Sequence, residues 1–123
     1  VPEILQAGFE TLMEAGVSPE VAFLECVGEL KLIAELIEQR GIAGMREAIS
    51  NTAELGAVLG GPRVVDDHVR QKMREVLDEV RSGRFAEALR QEADAGYPRL
   101  QKARADARSK PIEQVFNTLK NLS

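Results

Sequence analysis

The chain has one cysteine, Cys26, and one histidine, His68, among its 123 residues. A lone thiol cannot close an internal disulfide, and Cys26 falls at a helical core position, so an inert buried thiol in a reducing cytoplasm is expected. A single imidazole excludes the paired Glu-x-x-His motifs of di-iron bundles, since Val65 stands three residues before His68, and offers no Ser–His–acid triad. His68 is expected on the surface at a helix start. No dense basic run with interleaved aromatics occurs, and sixteen basic against twenty acidic side chains leave the chain mildly acidic, which argues against nucleic acid as a partner. No uncharged apolar stretch reaches the roughly eighteen residues a membrane span needs, and no basic segment leads into an apolar one at the N-terminus, so neither membrane nor export is expected. Ten glycines are present, yet Gly60-Gly61-Pro62 is no phosphate loop and nothing resembles Gly-x-Gly-x-x-Gly after a strand, which leaves no nucleotide site. Val1 is not an initiator Met, so a fragment or processed product of one domain, 1–123, is expected.

What is present is helix. No alternating strand pattern and no internal repeat can be found, so the fold class is all-α. The first helix runs from about Pro2 to Ala15 and ends at Gly16. Ser18-Pro19-Glu20 opens the second with a side-chain cap, a proline at the first helical position and an acid in the first turn. It is the long one, continuing to about Gln39 and stopping at Gly41. A third, about Ala43 to Leu59, carries Ile49-Ser50-Asn51-Thr52 in mid-helix and is closed by Gly60-Gly61-Pro62. A fourth begins at Asp66 or Asp67 and ends at Ser82-Gly83, and Phe85 to Ala95 gives a fifth. Tyr97-Pro98 forms a corner into a more polar stretch, and Ser109-Lys110-Pro111 restarts a last amphipathic helix with Ile112, Val115, Phe116, Leu119 and Leu122.

Inside the long second helix, Glu25 and Glu29 break the pattern. At about 100° per residue, Glu20, Lys31, Glu35 and Glu38 share a solvent face, while Glu25 and Glu29 share the strip of Ala22, Leu32, Ile33 and Leu36. Two like charges one turn apart in a core stripe repel, and each is costly to bury alone. A basic side chain or a divalent metal should lie between them, and magnesium is the natural candidate because it takes carboxylate oxygen and keeps positions for water or substrate; manganese fits for the same reason. Ser50 either faces water or hydrogen-bonds a substrate carboxylate or carbonyl, and periodicity does not choose.

The stretches Ala7 to Gly16, Pro19 to Ile33 with its Glu25-Cys26-Val27-Gly28-Glu29 core, Ile49-Ser50-Asn51 to Glu54, Gly61-Pro62-Arg63-Val64-Val65, Glu92 to Pro98, and Lys110 to Gln114 resemble the C-terminal domain of ketol-acid reductoisomerase over nearly the whole chain. The resemblance implies a knotted helical domain whose Glu25 and Glu29 ligate magnesium and whose Ser50 contacts substrate. It also implies conversion of 2-acetolactate or 2-aceto-2-hydroxybutyrate to dihydroxy acids for branched-chain amino acid synthesis, with NADPH as hydride donor. Two magnesium ions would polarise the carbonyl and hydroxyl oxygens, favour alkyl migration and stabilise the oxyanion during hydride delivery. The family's other acidic motif and its nucleotide-binding domain precede Val1, so the chain alone is expected to be inactive, and a homodimer is expected because one subunit's acidic pair completes the partner's site. Leu24, Gly28 and Leu55 stand at positions aromatic or histidine in the family, and Arg40 at a glycine. The rival reading is a non-catalytic helical dimerisation module of the same fold.

Overall fold

The computed structural model describes residues 1–122, and within them every regular element is helical. The chain divides into two units, one formed by Val1–Met45 with the chain from Ala103 onward, the other by Arg46–Lys102.

The first unit holds the core. Helix α1 (Pro2–Glu14) ends as expected, with Gly16 at φ 88°. Its closing bonds run from Gly16 N–H to the Met13 carbonyl and from Val17 N–H to the Leu12 carbonyl, 3.0 Å each, the paired arrangement that a left-handed glycine permits. Ser18 caps α2 (Pro19–Phe23), its hydroxyl accepting from Val21 N–H. Phe9, Ala22 and Val115 are enclosed, and Leu12, Met13, Val17, Phe23, Cys26, Ile112 and Leu119 pack around them. Val115 and its neighbours come from the last helix, which is α8 in chain order (Pro111–Lys120) and packs on α2. The Phe116 ring lies 6.3 Å from that of Phe23, with the Lys120 ammonium 5.4 Å above it.

The long second helix is not continuous. After five α residues the chain winds as a π turn over Leu24–Gly28, and α3 (Leu30–Ala48) follows, itself broken at Gly41, where φ 69° and ψ 176° lie outside helical space. Only glycine readily adopts that conformation, so the expected stop at Gly41 is real although helical bonding resumes beyond it. The π turn departs from the expected winding. A straight α-helix would carry the inward stripe from Ala22 through Cys26 and Glu29 to Ile33. One extra residue lets the stripe step from Cys26 and Val27 to Ile33 and leaves Glu29 off it.

In the second unit, Ile49 and Ser50 interrupt the helix, and Ser50 caps α4 (Asn51–Val64). Ser50 is therefore at a helix start rather than in mid-helix, because its hydroxyl satisfies the free Ala53 N–H at 3.2 Å. Gly60-Gly61-Pro62 does not break α4, which runs through Pro62. The ring removes one backbone donor, and Val65 N–H still reaches the Gly61 carbonyl at 2.9 Å. Asp66 caps α5 (Asp67–Arg81) through Val69 N–H at 3.0 Å, and Gly83 at φ 82° starts α6 (Arg84–Asp94), which packs on α5. Both boundaries fall where the capping residues place them. Tyr97 turns the corner at φ 62° into α7 (Pro98–Ser109).

Candidate functional site

Glu25 sits inside the π turn and Glu29 is the first residue past it. Both are exposed. The expectation of a buried pair in a core stripe is therefore corrected, for two reasons. The π turn shifts Glu29 off the inward stripe, and the apolar neighbours on the outer side are themselves in water, with Leu24 53% and Leu32 54% exposed.

The inward side of the same turn meets the core. Cys26 is half-buried against the core, and burial followed by the nearby Glu25 charge pushes its thiol above the ordinary range. It stays neutral, as expected for an inert thiol, although it is only partly buried. Val27 lines an apolar groove of about 450 Å³ shared with Leu5, Phe23, Ile112 and Phe116, and neither glutamate lines it. The turn thus presents carboxylates outward and apolar groups inward.

Carboxylate oxygen is the hard donor magnesium takes, so the chemistry of the pair fits half of a cation site. Among the described residues no group of three His, Cys, Asp or Glu side chains could hold a metal. Two carboxylates leave the rest of an octahedral set to water, substrate oxygens or further protein ligands.

Ser50 is exposed at the α4 start. Its oxygen accepts from Ala53 N–H, so the hydroxyl proton can still be donated, beside the partial positive charge of a helix N-terminus. Ser50 belongs to the second unit and the glutamates to the first. His68 is exposed in the first turn of α5, as expected.

A family model for the C-terminal domain of ketol-acid reductoisomerase matches residues 1–123. This chain belongs to the ketol-acid reductoisomerase family. A ketol-acid reductoisomerase (NADP(+)) from Sulfurimonas denitrificans is 49% identical over 119 residues, covering 97% of this chain and 35% of that protein. A solved NADH-preferring ketol-acid reductoisomerase from an uncultured archean superposes with a TM-score of 0.94 at 40% identity, over 98% of this chain and 37% of the other. The chain thus spans little more than a third of the relatives it matches. The all-α fold and the resemblance to a ketol-acid reductoisomerase C-terminal domain are borne out.

Two local features escape sequence reasoning. The first, the π turn, leaves two signals in the sequence, Glu29 falling on the apolar stripe of a straight helix and Gly28 in mid-run. The second is Glu92, whose side chain, 13% exposed, accepts from Arg99 N–H at 2.6 Å and Leu100 N–H at 3.2 Å. It caps α7 from the end of the preceding helix. Among the described residues no helix is long and apolar enough to cross a membrane.

Proposed function

We propose that this chain is the metal- and substrate-binding helical part of a ketol-acid reductoisomerase that converts 2-acetolactate or 2-aceto-2-hydroxybutyrate to dihydroxy acids in branched-chain amino acid synthesis. The observation that carries the reading is that Glu25 and Glu29 are both exposed, in and just past a π turn, in a chain belonging to that family. π turns are rare and recur at functional sites.

In this reading Glu25 and Glu29 supply carboxylate oxygens to magnesium, and the acidic motif that precedes this domain in the family supplies the rest from a partner subunit. Bound magnesium would provide Lewis-acid polarisation of the substrate's carbonyl and hydroxyl oxygens. The two glutamates hold the negative charge that keeps the cation at this face, and Leu24 offers an apolar wall beside it. Ser50 donates its hydroxyl proton to a substrate oxygen and holds the substrate in register. The hydride comes from a nicotinamide held by another domain. NADPH is supported by the name of the Sulfurimonas relative, while the archean relative is NADH-preferring.

The chain is proposed to work as a homodimer. Exposed apolar side chains on α3, α5 and α6, among them Leu32, Met73, Val76 and Phe85, are more than isolated surface residues and suit cover by a second copy.

The decisive experiment is Glu29→Gln in the full-length enzyme. Magnesium dependence of turnover should weaken by about tenfold or more on loss of a direct ligand. Unchanged dependence would remove the metal role of Glu29, and no turnover by the unmutated full-length protein would favour the non-catalytic dimerisation module. The 123-residue chain alone, assayed with 2-acetolactate, NADPH and magnesium, should show no turnover, because nothing in its sequence matches a dinucleotide-binding motif.

A further inference from the structure

Gly8 lies in the middle of α1 with an ordinary negative φ, since it is absent from the glycines with left-handed backbone. Backbone conformation therefore does not call for glycine there, and glycine weakens a helix interior. Space does call for it. A Cβ on Gly8 would stand 3.2 Å from the Cys26 sulfur, closer than comfortable contact. The helix cannot easily retreat, because its next residue, Phe9, is 1% exposed in the core. On the other side, Cys26 sits mid-way through the π turn, next to Glu25 and three residues before Glu29. Its side chain has one heavy atom beyond Cβ, so it has little length in which to fold aside.

We infer that Gly8 is a positioning residue: its missing side chain lets Cys26 seat against α1, and that seat fixes the π turn that turns Glu25 and Glu29 outward together. This rests on the reading of the pair as magnesium ligands. The chain of cause is short. α1 is anchored by Phe9, Cys26 meets α1 at Gly8, and the backbone between Glu25 and Glu29 is the segment Cys26 belongs to. A push of a few tenths of an ångström at Cys26 passes into that backbone, and ligand pairs lose affinity when their support moves.

The test uses the full-length enzyme stripped of metal, with magnesium ion alone as the probe and its Kd read by calorimetry. Gly8→Ala should weaken magnesium binding about tenfold. Cys26→Ala removes the opposing sulfur, so Gly8→Ala with Cys26→Ala should return the affinity to within about twofold of the parent, as contacting residues couple. Cys26→Val, which crowds the same contact from the other side, should weaken binding in the manner of Gly8→Ala and serves if Gly8→Ala does not fold. A general effect on helix formation has the opposite sign, because alanine is the better helix former. Parental affinity in Gly8→Ala or in Cys26→Val, or a double variant as weak as Gly8→Ala, would overturn the inference. Glu29→Gln in the same assay separates the two claims. If it binds magnesium like the parent, the metal role fails. If it binds weakly while Gly8→Ala does not, only the positioning role fails.

Discussion

Phe9, Ala22 and Val115 are enclosed in the first unit, whereas between Arg46 and Lys102 the large apolar side chains Met73, Val76, Val80, Phe85 and Leu89 each keep half or more of their surface in water. Both regions carry the periodic apolar faces of amphipathic helices, so patterning does not separate them. What separates them is cover. In the first unit α8 returns from the far end of the sequence to close α2, while α5 and α6 pack chiefly on each other. The second unit relies instead on local devices: the Ser50 and Asp66 caps, the Glu92 cap on α7, and same-helix pairs such as Lys72 with Glu75 and Arg90 with Glu87. Such exposed pairs contribute little each. An apolar face marks where burial can occur, and only a second element decides whether it does.

The largest effect expected from this contrast is on the two phenylalanines. In the dilute chain Phe9→Ala should cost about 3–5 kcal/mol, the usual loss for a buried aromatic, and Phe85→Ala less than about 1 kcal/mol, both read from urea unfolding. Equal costs would break the contrast and show that α6 is covered in solution. Repeating the melts of Phe85→Ala at rising protein concentration sharpens the point. A penalty that grows with concentration is the expected mark of a dimer that buries this face.

Next in size is Glu92. Glu92→Ala leaves Arg99 N–H and Leu100 N–H without their acceptor and should cost about 1–2 kcal/mol. Hydrogen exchange should then rise in the first turn of α7 before it rises in α1. Uniform exchange would mean that α7 is held by something other than this cap.

The serine caps compare the units directly. Ser18→Ala and Ser50→Ala should each lose about 1 kcal/mol of stability, but only Ser50→Ala should also raise the KM for 2-acetolactate in the full-length enzyme. If both variants shift KM alike, the proposed substrate contact of Ser50 is a general folding effect.

The smallest effect concerns Cys26. Because burial and Glu25 raise its thiol above the ordinary value, the folded state favours the protonated form. The stability so gained is complete below the unfolded thiol's value and lost as pH rises through the folded one. Alkylation at mildly alkaline pH should therefore be slower in the folded chain than in the urea-unfolded chain. Equal rates would mean the π turn opens freely, against the tight seat on Gly8.

Helix ends are largely legible in the sequence. Gly16, Ser18, Asp66 and Gly83 act locally, through a left-handed backbone or a side-chain cap, and a few residues contain all the relevant physics. Ser50 and Gly60-Gly61-Pro62 mislead because two signals compete at each. A cap and a helix-interior hydroxyl look alike in sequence, and a proline that costs one hydrogen bond need not end a helix when its neighbours hold. The acidic pair stands out by its mismatch with an apolar stripe. Its burial does not follow, since the stripe assumes a uniform α winding that the π turn interrupts.

Composition, periodicity and capping residues are enough to determine an all-helical chain, most of its boundaries and the two glutamates that stand out of place, because each depends on interactions within a few residues. Tertiary structure decided the rest: that α8 rather than α5 or α6 completes a core, that Gly8 admits Cys26, and that Glu25 and Glu29 face outward from a π turn. Those outcomes depend on contacts between segments far apart in the chain, and a repeating pattern along one helix carries no information about which neighbour will arrive to meet it.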